Sequence, residues 1–166
     1  PISILGKNIS KVKEGYDDFV EEVIEHASVT KGEGVAIGHS LGGTLSLLAE
    51  AKQPGLFKTI ILLDPPIFSR KKLFLFSILK KLGLGHHFTP AKKSMKRREV
   101  FSSPEEALEY FASKGLFKDI PKSTIELYVN HGLEKIEGEY RLVISRDRET
   151  DIFLNMPTRF PKEISR

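Results

Sequence analysis

The sequence contains no cysteine among its 166 residues, which excludes disulfide bonds and thiolate catalysis. No stretch approaches the roughly 20 consecutive apolar residues that a transmembrane helix needs. The N-terminus lacks the charged-then-apolar order of a signal peptide. Histidine, aspartate and glutamate do not occur at metal-ligand spacings, so we predict no metal site and no cofactor. A cytoplasmic protein is the expectation from these absences.

Acidic residues are absent from Pro65–Arg98, although that segment holds ten lysines and arginines. The rest of the chain has more acidic than basic side chains, so the overall net charge of +4 comes from this one segment. Such a distribution indicates a local basic surface rather than a generally basic protein.

The most informative pattern is Gly38-His39-Ser40-Leu41-Gly42-Gly43, which contains the string Gly-x-Ser-x-Gly. This string is typical of a nucleophile elbow, a tight strand-to-helix turn that holds a serine in a strained conformation with its hydroxyl exposed. We expect strand and helix to pass so closely that a Cβ at Gly38 or Gly42 would collide with the opposite backbone. The alternative is a plain glycine-rich turn whose serine caps the following helix.

The residues around the motif favour the elbow. Val35–Ile37 is the centre of a short apolar run before it, and leucines at helical spacing continue after it to Lys52. Thr59–Leu63 is a second apolar run, which Asp64-Pro65 closes. An amphipathic helix is predicted upstream, over Glu14–His26. Strand, turn, helix and strand together predict a right-handed βαβ unit.

The Gly38–Gly43 motif, followed by Ile60-Ile61-Leu62-Leu63-Asp64-Pro65, resembles the middle of an α/β-hydrolase-fold enzyme. That superfamily includes serine esterases, lipases and C–C hydrolases. The resemblance implies an α/β fold class, in which a partial α/β-hydrolase core of parallel strands carries an inserted, mostly helical cap. It places residues 1–68 in the core, 69–156 in the cap, and 157–166 in a segment that returns toward the core.

The number of strands is low for such a fold. Two are clear, with a weaker candidate at Tyr140–Ile144, whereas a parallel sheet covered on both faces normally has more. Relatives carry strands before and after this block, and the chain begins at Pro1 rather than at a methionine. We therefore expect residues 1–166 to be an internal section of a longer hydrolase. A compact variant with a reduced sheet is the alternative.

Three helices are predicted in the cap. The first begins with Ser103-Pro104 and carries Glu106, which is the pattern of a capping box, and Gly115 ends it. The others cover Thr124–Asn130 and Ser145–Asn155.

An apolar run at residues 73–79 lies between Arg70-Lys71-Lys72 and Lys80-Lys81, which predicts a helix with basic ends. As a cap helix it would offer Phe74 and Phe76 to an apolar acyl or aromatic group of a small-molecule substrate. Its lysines would favour anionic substrates or a weak contact with an anionic lipid surface. A packed core helix with solvated lysines is equally compatible. Nucleic-acid binding is disfavoured, because no nucleic-acid motif is present. The oligomeric state is not determined by these patterns.

Ser40 is the candidate nucleophile. A serine hydroxyl needs a base to take its proton, and the base needs an orienting carboxylate. The backbone N–H of Leu41, at the start of the helix, is placed to stabilise a developing oxyanion. The resemblance implies that the second oxyanion donor, the acid and the histidine come from parts of the fold outside these residues.

Some residues of this chain could fill the missing roles. Asp64 follows the second strand at the edge of the sheet where catalytic groups gather, but an Asp-Pro there is also a plain turn, and we prefer the turn. His39 lies inside the motif and cannot reach the neighbouring hydroxyl productively. His86, His87 and His131 are most simply exposed or capping residues.

The sequence thus predicts a serine hydrolase that acts on an ester, thioester or related carbonyl substrate through an acyl-enzyme on Ser40. Relatives of this fold that attack through an aspartate at the elbow, such as dehalogenases and epoxide hydrolases, are excluded by the serine. The alternative is a non-catalytic remnant or binding module that keeps the elbow as a structural turn.

Overall fold

A computed structural model of the protein describes residues 12–162 and 164. The N-terminal segment examined for a signal peptide lies outside the described residues, as do 163, 165 and 166 of the predicted return segment. The chain divides into two compact units, one made of Pro1–Lys92 with Thr150–Arg166 and the other of Lys93–Glu149. This division differs from the predicted boundaries at 68 and 156. Those boundaries separate a core from a cap, which need not coincide with compact units, so the predicted core and cap stay a prediction.

The first unit contains the predicted βαβ arrangement. A 3₁₀ turn at Glu14–Tyr16 leads into the first helix, and the following elements are α1 (Asp17–Ser28), β1 (Val35–His39), α2 (Leu41–Lys52), β2 (Thr59–Leu63) and α3 (Arg70–Lys81). A 3₁₀ turn at Gly85–His87 and the short helix α4 (Ala91–Ser94) follow. The bounds of β2 are those predicted from the sequence, and β1 extends two residues further, up to the elbow serine.

Strands β1 and β2 pair in parallel, with Val35 opposite Thr59 and His39 opposite Leu63. Parallel strands that α2 connects must run in the same direction, so both carboxyl ends lie at one edge of the sheet. The register brings the residues after His39 and after Leu63 to that edge.

The core of the first unit is formed where α1 and α2 contact each other. Phe19, Val23, Leu45 and Ala49 are almost completely buried there. The amphipathic pattern of α1 explains this, because its apolar side chains recur at helical spacing along one face.

The two-stranded sheet keeps apolar side chains exposed. Ile37 is 67% exposed and Val35 55%, and Leu63 is also exposed. Parallel strands are normally buried on both faces, so the exposure of these side chains departs from the usual pattern.

The second unit combines helices with a small antiparallel sheet. Its elements are β3 (Val100–Phe101), α5 (Pro104–Ala112), a 3₁₀ turn at Gly115–Phe117, α6 (Lys122–Gly132), β4 (Leu133–Ile136) and β5 (Glu139–Leu142). The strands lie in the order β3-β5-β4. Phe101, Phe111 and Val129 are buried in the core of this unit. The last helix, α7 (Arg146–Leu154), begins in this unit and ends in the first.

The antiparallel sheet was not expected beyond the weak strand at Tyr140–Ile144. That strand is found at Glu139–Leu142, so it begins one residue earlier and ends two residues earlier than predicted. The turn between the two strands explains the hairpin. Glu137 and Gly138 both adopt positive φ, 51° and 88°, between β4 and β5. Two such residues form the mirror-image turn that joins antiparallel strands.

The predicted start of α5 is found, with a variation in its capping. Ser103 accepts a hydrogen bond from the backbone N–H of Glu106, as an N-cap serine does. The Glu106 carboxylate, however, accepts from the backbone N–H and hydroxyl of Ser102 and from Arg98, instead of from the N-cap backbone. The capping box is therefore displaced by one residue.

Candidate active site

Ser40 occupies the sharp turn between β1 and α2. Its φ of 50° and ψ of −117° lie outside the regions that residues other than glycine normally adopt. The Ser40 backbone N–H donates to the carbonyl oxygen of Leu63 at 3.0 Å, and its carbonyl oxygen accepts from the N–H of Thr44 at 3.2 Å. A non-glycine residue keeps such a conformation only where its surroundings fix it, and such residues cluster at functional sites.

The Ser40 hydroxyl is not used to cap α2. The side chain makes no capping hydrogen bond, although Ser40 stands at the N-cap position, and the residue is exposed. The alternative of a capping serine in a plain turn is therefore wrong. The turn instead exposes a hydroxyl that takes no part in holding the local structure.

The glycines at the elbow have different roles from those predicted. A Cβ at Gly38 would lie 2.5 Å from the backbone nitrogen of Gly43, which confirms the predicted close approach there. A Cβ at Gly42 would meet nothing within 4 Å, so the predicted collision at Gly42 is wrong. Gly43 is the second glycine that the packing needs, because a Cβ there would lie 2.9 Å from the carbonyl oxygen of Gly38 and 3.1 Å from Pro65. Gly43 faces the strand, and Gly42 faces away from it.

Leu41 is the first residue of α2. The N–H groups of the first helical turn have no acceptor within the helix, and the helix dipole places partial positive charge there. The Leu41 N–H, next to the exposed hydroxyl of Ser40, is therefore in the position expected of an oxyanion donor. This role stays a prediction.

Asp64 comes directly after β2 and is exposed, with a φ of 47°. Aspartate tolerates this left-handed conformation better than most residues, which agrees with the preferred interpretation of a turn. Because the carbonyl oxygen of Leu63 accepts a hydrogen bond from Ser40, Asp64 also lies at the same edge of the sheet as the serine. The structure thus brings these two predicted site residues to neighbouring strand ends.

The histidines of the described residues make no hydrogen bond to Ser40. His39 is exposed at the end of β1. The rings of His86 and His87 contact each other in a 3₁₀ turn, with centroids 4.1 Å apart. His131 lies in the last turn of α6, in the second unit. A base for Ser40 is therefore not assembled from the histidines that the structure describes.

The two predicted substrate-binding phenylalanines lie on different faces of α3. Phe74 is 68% exposed and lines a cavity beside this helix. Phe76 is fully buried and stacks on Phe88, with ring centroids 4.9 Å apart. Phe76 is therefore part of the packed core, and a substrate contact at Phe74 stays a prediction.

The described residues contain no group of three or more histidine, aspartate or glutamate side chains arranged to hold a metal ion. Within the same residues, no helix combines the length and the apolar character needed to cross a membrane.

Comparison with known families places this geometry in context. A model of the Esterase family, described as “Putative esterase”, matches residues 13–109, which is more than half of the chain. The chain belongs to this esterase family. The matched part of the chain includes α1, both parallel strands, the elbow and α3. No curated protein matches the sequence significantly.

Two solved structures resemble this chain in fold. One is E-2-(acetamidomethylene)succinate hydrolase, with 22% identity and a TM-score of 0.54 over 86% of this chain and 48% of that one. The other is a peroxisomal alpha-beta-hydrolase from Saccharomyces cerevisiae, with 19% identity and a TM-score of 0.58 over 88% of this chain and 44% of that one. The chain thus has a partial α/β-hydrolase fold and spans about half the length of these structures.

Proposed function

We propose that the chain carries the nucleophile of a serine hydrolase, which cleaves an ester, thioester or related carbonyl substrate through an acyl-enzyme on Ser40. The observation that carries this proposal is the strained turn at Ser40, whose hydroxyl is exposed and forms no capping bond. A turn that served the fold alone would gain stability from glycine at this position, so the strained serine favours a chemical role.

The proposed reaction begins when a base removes the Ser40 proton and the oxygen attacks the substrate carbonyl. The Leu41 N–H stabilises the negative charge that develops on the carbonyl oxygen. Collapse of the tetrahedral intermediate breaks the bond to the leaving group, which takes the proton back from the base and departs as an alcohol or thiol, and the acyl group stays on Ser40. Water, activated by the same base, then attacks the acyl-enzyme and releases the carboxylic acid.

We propose that the base and the orienting acid come from parts of the protein beyond residues 1–166. Support comes from the absence of a histidine bonded to Ser40 among the described residues and from the exposed apolar side chains of β1 and β2. The coverage of about half of each similar structure agrees with this. Asp64 is the alternative acid, because it follows the strand next to the serine.

The second candidate function is a binding module that keeps the elbow as a structural turn. The lack of a histidine hydrogen-bonded to Ser40 within residues 12–162 favours it. The unused hydroxyl at Ser40 argues against it, since a binding module has no need of strain at this residue.

The proposed substrates are small molecules with an apolar acyl or aromatic group, for which the exposed Phe74 provides a contact surface. Nucleic acid is not among the proposed partners, and contact with an anionic lipid surface is proposed as weak. A cytoplasmic location stays a prediction.

The test uses the full-length protein that contains residues 1–166, with p-nitrophenyl esters as substrates and a fluorophosphonate probe. Ser40→Ala should lower kcat/KM by about 10⁴-fold or more and abolish labelling of the peptide that contains residue 40. Ser46→Ala is the matched control, because Ser46 lies in the helix that follows Ser40 and its hydroxyl donates a hydrogen bond to the carbonyl oxygen of Gly42. Unchanged activity in the Ser40→Ala variant would overturn the proposal. Absence of both hydrolysis and labelling in the wild type would favour the binding module.

A further inference from the structure

A cavity of about 780 Å³ lies within the first unit, beside α3 and the segment around Phe160. We call it the α3 cavity; its apolar wall includes Phe68, Leu73, Phe74, Ile78 and Phe160. Pockets for small ligands typically measure about 300–1,000 Å³ and are mostly apolar, so the α3 cavity has the size and the lining of a ligand site.

Cationic side chains surround the α3 cavity. Arg70, Lys81, Arg159 and Lys162 all contribute to its lining, and all four residues are exposed. Among the described residues that line it, none is acidic. Exposed cations around an apolar interior produce a positive potential at the opening, which attracts an anionic group.

The apolar and cationic parts of the lining are complementary to the two ends of an amphipathic anion. Leu73 is buried, which marks the inner wall, whereas the cations stand where solvent reaches them. Ser69 and Ser77 also line the cavity, and a serine hydroxyl can donate a hydrogen bond to an oxygen of a ligand. Guanidinium groups match the planar carboxylate in particular, because two parallel N–H bonds reach its two oxygens.

The α3 cavity lies near the elbow but does not include it. Ser40 is not part of its lining, whereas Ile67 is. Ile67 follows Leu63 by four residues, which limits the distance between their Cα atoms to about 15 Å. The carbonyl oxygen of Leu63 accepts a hydrogen bond from the backbone N–H of Ser40, so the cavity wall begins within a short distance of the proposed nucleophile.

We infer that the α3 cavity binds an aliphatic carboxylate, with the hydrocarbon chain against the phenylalanines and leucine and the carboxylate at the cations. The inference does not depend on the catalytic role of Ser40. If both hold, the ligand has the chemistry of the acid that hydrolysis of an aliphatic ester releases.

Binding can be measured with full-length Ser40→Ala protein, which separates the result from turnover. Isothermal titration at low salt would compare three ligands with the same chain, namely dodecanoate below its micelle concentration, dodecanol and dodecyltrimethylammonium. Dodecanoate should bind about tenfold more tightly than dodecanol, and the cation most weakly. Added salt should reduce this preference, because the cations are exposed.

Two variants locate the site. Replacing Lys81 and Arg159 by glutamine should reduce the preference for dodecanoate over dodecanol, because two of the four cations that line the cavity are then lost. The control Lys118→Gln with Lys122→Gln removes the same charge from the second unit and should leave the preference unchanged. Ser77→Phe, which fills the cavity, should weaken dodecanoate and dodecanol alike, with circular dichroism as the check on folding.

Equal affinities for dodecanoate and dodecanol would overturn the inference, as would a double variant that binds like its control. Vesicles of phosphatidylglycerol provide the arm for a membrane source of the anion. Sedimentation of the protein with these vesicles, without saturable binding of monomeric dodecanoate, would also overturn it.

Discussion

The backbone N–H of Ser40 donates a 3.0 Å hydrogen bond to the carbonyl oxygen of Leu63. This bond extends the pairing of β1 with β2 beyond His39 and Leu63, so the elbow is tied to the end of the neighbouring strand. The Ser40 carbonyl oxygen is held in turn by the N–H of Thr44 in α2. Strand and helix thus fix the serine from both sides, which explains how the strained conformation persists.

The contact between Gly38 and the start of α2 predicts a strong effect of a single methyl group. Gly38→Ala should lower the free energy of unfolding by about 3 kcal/mol or more, because the new Cβ would meet backbone atoms that cannot rotate away. Urea unfolding followed by circular dichroism measures the change.

Gly42→Ala is the matched control for this prediction. No atom lies within 4 Å of a Cβ there, and alanine is the better helix former by up to about 1 kcal/mol. We expect a neutral or stabilising effect. Similar losses in the two variants would contradict the close approach that the structure shows at Gly38.

The conformation of Ser40 predicts that glycine at this position gives a more stable protein than alanine. Ser40→Gly should be more stable than Ser40→Ala by about 1 kcal/mol, because glycine adopts a φ of 50° without steric cost. Thermal unfolding of the two variants gives this difference. At Ser46, in the interior of α2, the order should be reversed, since glycine weakens a helix. Equal stability of the two variants at position 40 would show that the turn stores no strain.

The buried hydrogen bond of Tyr16 predicts a further effect on the free energy of unfolding. Its hydroxyl donates a 2.8 Å hydrogen bond to the carbonyl oxygen of Ile152, and the residue is buried. Tyr16→Phe should lower the free energy of unfolding by about 1 kcal/mol at pH 7, because that carbonyl loses its partner. Tyr140→Phe is the control. Urea unfolding measures both, and equal effects would argue against the bond.

The same residue predicts a dependence on alkaline pH. Burial raises the pKa of Tyr16 above its ordinary value of 10.0. The stability that the neutral phenol contributes is therefore fully present below about pH 10 and is lost as the pH rises further, when the unfolded chain ionises. The difference in stability between wild type and Tyr16→Phe should become smaller above about pH 10. A constant difference would contradict the raised pKa.

Glu106 predicts a dependence on acidic pH in the second unit. Hydrogen bonds from the Ser102 backbone and from Arg98 lower the pKa of its carboxyl group to about 2. The ordinary value is 4.5, so the contribution to stability is present above about pH 4.5 and is lost as the pH falls toward 2. Glu106→Gln should lower the melting temperature at pH 7, and the difference from wild type should disappear near pH 2.

Glu126→Gln provides the comparison for this prediction, because Glu126 is exposed on α6 in the same unit. We expect little change in the melting temperature of that variant at either pH. A Glu106→Gln difference that stays the same from pH 7 to pH 2 would be evidence against the lowered pKa.

The sequence alone determined the two parallel strands, the elbow and the candidate nucleophile. These features depend on residues close together in the chain, namely an apolar run at Thr59–Leu63 and a glycine two residues to either side of Ser40. The capping of α5 by Ser103 is local in the same way. Local backbone and packing requirements leave a direct trace in the sequence, so they can be recognised there.

The tertiary structure decided what depends on orientation and on distant partners. The sequence has both Gly42 and Gly43, but the direction in which α2 crosses β1 determines that Gly43 faces the strand. Phe74 and Phe76 lie about 200° apart on α3, and the packing of Phe88 determines which of them is buried. The antiparallel sheet and the α3 cavity join segments far apart in sequence. A pattern within one segment does not specify its partner, so these features followed from the fold.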